Sequence, residues 1–275
     1  MTLTSRRALA NAAGVGFSLV MLFPVYWMVL TSVKPSSEIL TYQPTFIPSS
    51  ISLDSFGRAV SAPHFADAVL NSLLVAGTVT VIAVAVAFLA AVGIARFRFY
   101  GRRAFIFSIL VVQMVPLNAM IIPIYLLLNE VDQVNRLSGV VITYLTFVLP
   151  FTVWTLRGFV ANVPKELEEA AMTDGCTRLQ AFRRVVFPLV FPGLVATSIY
   201  ALIQAWNEYV MAYVLLSDQA KGTLPVWLVS FVTARGTDYG ALMAGATLMS
   251  LPVIVFFVIV QRQVVSGLVA GAVKG

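Results

Sequence analysis

The chain is poor in charge, has one cysteine and one histidine, and lacks long polar stretches. Only 11% of its 275 residues are charged, where soluble domains carry about 25%. The single cysteine, Cys176, excludes a disulfide framework within the chain. The single histidine, His64, lies in a Pro- and Ser-rich stretch with no Cys, His or carboxylate cluster around it. Neither a Ser-His-Asp set nor a metal site is suggested. A GxxxxGK[ST] loop is missing, and no Gly-Lys dipeptide occurs anywhere. The chain therefore has no P-loop of its own, and any energised work draws on an ion gradient or on another chain.

What is present is apolar. Hydrophobic residues make up 59% of the chain, with a mean hydropathy of +0.91. A single soluble core cannot absorb that much apolar surface, so most of the solvent is lipid. Six segments stand out: Ala8–Val33, Ala68–Ala95, Ala104–Asn129, Leu137–Leu156, Val185–Ser217 (span 189–216, with Glu208 inside) and Tyr239–Gln261. Each is long enough for a helix of roughly 20 residues to cross the hydrocarbon, and none alternates like a barrel strand. The expectation is an all-α membrane protein, one domain over 1–275 with six transmembrane helices. The first segment resembles a signal peptide in its basic start, Arg6-Arg7. Its apolar run is long for an h-region and no A-x-A-like site follows, so it reads as an uncleaved span.

Orientation follows from basic residues. With six spans both termini share a side, and thirteen of the eighteen Lys and Arg fall there, including Arg6, Arg7, Arg96, Arg102, Arg103, Arg157, Arg183, Arg184, Arg262 and Lys274. The termini are expected to be cytoplasmic. The net charge of +6 reflects this bias rather than nucleic-acid binding. The segment Lys34–Asp67 faces outside, with room for a short surface helix near Ser52–Val60 but no domain.

The loop 158–188 is the polar exception. Pro164 opens a short helix whose Glu166, Glu168 and Glu169 suit the positive end of its dipole. Leu167, Ala170 and Ala171 give it a small apolar face, and Gly175 suits a left-handed stop. A second helix follows from about Thr177, with Leu179, Phe182 and Val186 on one face and Arg178, Arg183 and Arg184 near the membrane, before Pro188. By itself this is either a docking hairpin or an amphipathic hairpin lying on headgroups.

The run Glu169-Ala170-Ala171, three residues, Gly175, nine residues, Val185-Val186-Phe187-Pro188 resembles the EAA loop of ATP-binding-cassette (ABC) importer permeases, EAA-x3-G-x9-I-x-L-P. Val185 stands for Ile and Phe187 for Leu. Asn71-Ser72-Leu73, Ala95-Arg96-Phe97, Trp206-Asn207-Glu208 and the tail from Gln261-Arg262 through Ser266-Gly267-Leu268 to Gly271–Gly275 are similar to permeases of the maltose-transporter type. The resemblance implies a type I ABC importer permease fold with the EAA loop between helices 4 and 5, in an inner cell membrane. It implies a sugar importer with a second permease, two ATPase subunits and an extracytoplasmic solute-binding protein. ATP and Mg would bind on the ATPase subunits, leaving this chain without cofactor, metal or catalytic residue. Glu168, Glu169, Ala170, Ala171, Gly175, Phe182 and Pro188 would couple to the ATPase, and the Gly267…Gly271 tail would pack on the cytoplasmic partner.

The expected pathway residues are Gln204, Trp206, Asn207, Glu208 and Tyr209, then Gln113 and Asn118. Glu208 reads as the one acid inside a span, and a charge at mid-membrane costs about 2.5–3.5 kcal/mol. It is expected to face a cavity or to make an interhelical salt bridge. Aromatic faces beside amides suit sugar hydroxyls. Pro116, Pro123 and Pro150 mark kinks. Other solutes (polyamine, phosphonate, peptide), or a secondary transporter that couples ions through Glu208, are the alternatives; an integral-membrane enzyme lacks a catalytic cluster. A cysteine placed at Ser50 is expected to react with an impermeant thiol reagent added outside intact cells, while Cys176 stays unlabelled; the opposite pattern inverts the orientation.

Overall fold

The computed structural model describes residues 3–272. The side chains of Arg6 and of the tail from Arg262 lie outside the described residues, and with them the packing expected of the tail. In chain order the elements are α1 (Leu3–Val33), α2 (Ser36–Ile39), α3 (Asp54–Ser61), α4 (Phe65–Arg96), α5 (Arg102–Gln113), a 3-10 turn (Leu117–Met120) and α6 (Ile121–Glu130). Next come α7 (Leu137–Asn162), α8 (Lys165–Thr173), α9 (Arg178–Ala181), a π-helical turn (Phe182–Val186), α10 (Phe187–Asn207) and α11 (Val210–Leu215). A 3-10 turn (Gln219–Lys221), α12 (Leu224–Leu228), a two-stranded hairpin of β1 (Val232–Thr233) and β2 (Gly236–Thr237), and α13 (Tyr239–Ala272) complete the chain.

Five helices are long and apolar enough to cross a membrane: Ala10–Val33, Phe65–Arg96, Leu137–Asn162, Arg178–Asn207 and Tyr239–Gln261. Arg102–Gln113 and Leu117–Glu130, bent by 94°, make a sixth only if counted as one span. Two of the expected segments are therefore interrupted. Ala104–Asn129 breaks at Pro116, which lacks an amide hydrogen and sits extended at φ −68°, ψ 126°. Val185–Ser217 breaks after Asn207, so Glu208 is a helix-terminal residue rather than a mid-helix one. Pro123 and Pro150 lie inside α6 and α7.

The chain divides into two compact units, Met1–Phe65 with Leu228–Pro252, and Ala66–Trp227 with Val253–Gly275. In the first, α3 forms close to the predicted surface helix and is tied to the start of α13. Arg58 Nε and Nη2 donate to Asp238 Oδ2 and Oδ1 at 2.8 and 3.1 Å, and Asp238 Oδ1 also accepts from the Ala241 amide. The Arg58 hydrogen bonds hold the Asp238 carboxyl below its ordinary range. The pair's contribution is thus full above the usual carboxylate pKa and is lost only as pH falls through the lowered value. Lys34 is buried, with Nζ 4.6 Å from the Trp27 ring centre. His64 is exposed.

In the second unit, Ala87, Phe88, Ala91 and Ile94 of α4 form one buried cluster with Val153, Leu156 and Val160 of α7 and Val190 and Leu194 of α10. Three buried hydroxyls bond inside their own helices: Thr143, Thr152 and Thr197 donate to the carbonyls of Gly139, Val148 and Gly193 at 2.6–2.9 Å. No partner helix is needed to satisfy them. Gly193 lets α10 approach α7, because a Cβ there would lie 2.4–2.7 Å from ring atoms of Phe159. Gly193→Ala is expected to destabilise the chain by about 1–3 kcal/mol, the usual range for an overpacked core. Its unfolding midpoint in detergent measures this, and an unchanged midpoint shows that the ring moves freely.

Candidate functional site

The loop predicted to dock folds as two capped helices. Glu166 and Glu168 lie in the first turn of α8. At its other end Gly175 takes φ +89°, its amide donates to Met172 O at 3.1 Å, and the Cys176 amide donates to Ala171 O at 3.0 Å. That is a Schellman closure with Gly at the left-handed position. No neighbour lies within 4 Å of a Cβ built there, so the backbone angle, not space, demands glycine. Thr177 then caps α9: Thr177 N donates to Gln180 Oε1 at 2.9 Å and Gln180 N to Thr177 Oγ1 at 3.3 Å. The T-x-x-Q spacing carries this capping box in the sequence. Two stops and starts within four residues fix the angle between α8 and α9.

The two faces of α8 differ. Glu168 turns inward: Arg96 Nε, at the end of α4, lies 2.9 Å from its Oε2, with side chains only 9% and 17% exposed. The N–H is poorly aligned and Arg96 Nη2 is buried without a hydrogen bond, so the attraction is mainly Coulombic. Glu169 and Ala170 are exposed, and Ala171 is half-buried. Phe182, expected among the docking residues, instead packs on the chain's own core, its ring centre 5.6 Å from that of Phe88. Leu179, expected on the same face as Val186, is 66% exposed while Val186 is fully buried. A pocket of about 640 Å³ lies along this end, lined by residues including Arg96, Lys165, Glu168, Glu169, Arg178 and Phe182. From Arg178 to Asn207 the helix continues through the π turn, so α9 and α10 form one lever.

The residues expected along the pathway separate into two places. From Val185, beside Arg183 and Arg184, to Asn207 the helix rises about 33 Å at 1.5 Å per residue, comparable to a roughly 30 Å hydrocarbon core. On a straight span that begins at Val185, Glu208 would lie near the far end rather than mid-way. Its Oε1 and Oε2 accept from the amides of Met211 and Ala212 at 2.9 and 3.2 Å, and its carbonyl accepts from Tyr144 Oη at 3.2 Å. The expected interhelical salt bridge is replaced by a helix cap. Trp206 is 3% exposed, so its ring belongs to the chain's interior and offers no face to a sugar. Gln204 and Asn207 are exposed, and Tyr209 stacks on Tyr213 with ring centres 5.4 Å apart. Gln113 ends α5 about 16.5 Å from Arg102 along the helix, roughly half of a 30 Å hydrocarbon core in length. It is exposed, as are Met114 and Val115 at the break; Asn118 is in the turn that follows.

Sequence reasoning missed five contacts, three of them made by Asn71 and Ser72. Asn71 Nδ2 donates to Ala220 O and Gly222 O at 2.9 and 3.1 Å, and Ser72 Oγ accepts from the Leu224 amide at 2.7 Å. Asn71-Ser72 stood out only as a resemblance, and no local signal names its partners. Tyr144 and Arg96 were likewise invisible, because their partners are remote in sequence.

Residues 83–269 match the family described as binding-protein-dependent transport system inner membrane component. The chain belongs to this family. Relatives of this inner membrane component include the diacetylchitobiose uptake system permease protein DasC of Streptomyces coelicolor, 45% identical over 98% of both chains. The trehalose transport system permease protein SugB of Mycobacterium tuberculosis is 35% identical over 98% of this chain and 97% of its own. The fold is similar to that of a bacterial ABC transporter involved in import of the acidic polysaccharide alginate, at TM-score 0.79 and 24% identity, covering 95% of this chain and 98% of that one.

Breaking one partner of a buried ion pair is costly. Arg96→Met and Glu168→Leu, each alone, are expected to destabilise the second unit by about 3 kcal/mol, and the double variant to recover part of that loss. Unfolding midpoints of the four proteins close the cycle; additive losses mean that the pair is not coupled.

Proposed function

We propose that this transport component is the permease subunit of an ATP-driven importer of a small oligosaccharide. It crosses the membrane six times with both termini cytoplasmic, the bent pair of α5 and α6 forming the third span. A second permease completes the pore, a solute-binding protein delivers the sugar outside, and two ATPase subunits hold ATP and Mg. The observation that carries this reading is α8. Glu169, Ala170 and Ala171 offer a small outward face that fits a groove, while Glu168 is bound back to α4 through Arg96. The Gly175 closure and the Thr177 cap make α8, α9 and α10 one rigid path. A push on α8 is thereby delivered to the spans. Pro188 stands at the start of α10 on that path.

The pathway is proposed along Gln113 and Asn118 at mid-depth and Gln204, Asn207 and Tyr209 at the outer rim. Lipid does not tolerate open backbone. The exposed break at Met114–Pro116 therefore calls for a covering partner or a water-filled passage, and a binary pore with a second permease supplies both. Trp206 and Glu208 support this wall from behind. Diacetylchitobiose, the sugar in the name of the relative at 45% identity, is the first substrate to test, ahead of trehalose. The ion-coupled alternative loses its main support, since the Glu208 carboxylate is engaged by two amides.

The complex of this chain with its permease, ATPase and binding-protein partners, reconstituted in proteoliposomes, is expected to take up labelled diacetylchitobiose only with ATP and the binding protein. Ala171→Arg is expected to abolish uptake by releasing the ATPase subunits on co-purification, because a long charged side chain does not enter a tight groove. ATP-independent uptake, or full assembly and transport by Ala171→Arg, overturns the reading.

A further inference from the structure

We infer that Glu208 is a positioning residue: its carboxylate acts as a hydrogen-bond acceptor that fixes the break between α10 and α11, and its charge takes no part in moving solute or protons. The first turn of any helix has amides without intrahelical partners, and α11 has only six residues over which to recover that loss. Glu208 reaches past Tyr209 and closes the amides of Met211 and Ala212 with one oxygen each. Both oxygens go to main chain rather than to a basic side chain. The Glu208 carbonyl is held from the opposite side by Tyr144, whose side chain is fully buried on α7. The residue is thus gripped at both ends, and the turn it defines carries Asn207 on one flank and Tyr209 on the other. Each oxygen has a second lone pair and the residue is half-buried, but the acceptors already in use are both spent on the main chain of the break. A negative group at the positive end of α11 is stabilised where it stands. The inference rests on the reading above that Asn207 and Tyr209 face the pathway.

The test is a comparison of isosteres. Glutamine keeps one acceptor oxygen on the same stem; leucine keeps the shape and loses both acceptors. Asn207→Cys in a Cys176→Ser background, within the assembled complex, reports the geometry of the break by its rate of reaction with a maleimide. Adding Glu208→Gln is expected to leave that rate within about threefold of the parent, and Glu208→Leu to change it by about tenfold or more, the scale of a lost cap. Binding-protein-dependent ATP hydrolysis without the reporter cysteine is expected to follow the same order, with the Gln variant tracking the parent from pH 6 to pH 8.5. Glutamine closes only one of the two amides, so if Glu208→Gln behaves like Glu208→Leu, a single acceptor on the stem does not hold the break, and if it shifts the pH profile the charge is required; either result overturns the inference. If Glu208→Leu labels and hydrolyses like the parent, the cap positions nothing and it fails again. A wrong substrate shows separately, as a parent complex that hydrolyses ATP and labels normally but takes up no diacetylchitobiose.

Discussion

Lipid offers no hydrogen bonds, so each place where a helix stops inside or beside the hydrocarbon must satisfy its own free amides and carbonyls. The structure is organised by how it meets this constraint at three breaks. Between α8 and α9 the solution is local: a Schellman closure at Gly175 followed at once by a capping box at Thr177. Between α10 and α11 it is a carboxylate folded onto two amides. Between α5 and α6 it is partial, since Pro116 removes one donor but leaves the end of α5 uncovered by this chain. The first two breaks are finished within the chain. The third is not finished among the described residues, which is why a covering partner is proposed there.

Charge is distributed by the same rule. Arg96 and Glu168 meet where α4 leaves the membrane, and Glu208 stands at the opposite end of its span. An isolated charge at mid-membrane costs several kcal/mol, whereas a carboxylate at a helix N-terminus gains from the dipole. The mid-depth polar groups are amides and backbone, Gln113 and the carbonyls before Pro116, which remain neutral at any pH. The passage proposed above, lined this way, would suit a hydroxyl-rich solute that moves without a counter-ion.

Much of this was legible in the sequence, and the exceptions have physical causes. The positions of the long helices follow from unbroken apolar runs, and Gly175 from the need for positive φ after an acidic amphipathic turn. The EAA spacing fell on a segment that folds as two short capped helices. The end of α10 was not legible: Trp206, Asn207, Glu208 and Tyr209 all fit a helical pattern, and a glutamate reads as buried or exposed only once its donors are known. Trp206 looked like a sugar platform because an aromatic beside two polar residues has the same composition whether it faces inward or outward. Arg96 and Glu168 are joined by the approach of two helices, which no periodicity encodes.

On the proposed reading, a short loop would move a long span. Force applied to α8 would have two routes to other helices of the second unit, the ion pair to α4 and the continuous helix from Arg178 through the π turn to Asn207. Were only one route present, α8 would swing about its single attachment and the motion would dissipate in the loop. With two, anchored on helices that share the buried cluster around Phe88, rotation of α8 must tilt α10 relative to α4. A π turn is a point of weaker hydrogen bonding inside a helix; here it falls between the lever and the span, beside Phe182 and Phe88. In the proposed complex the small residue face of α8 would supply the grip and the double attachment the direction, while the capped break after Asn207 gives the far end of α10 a defined surface rather than a frayed one.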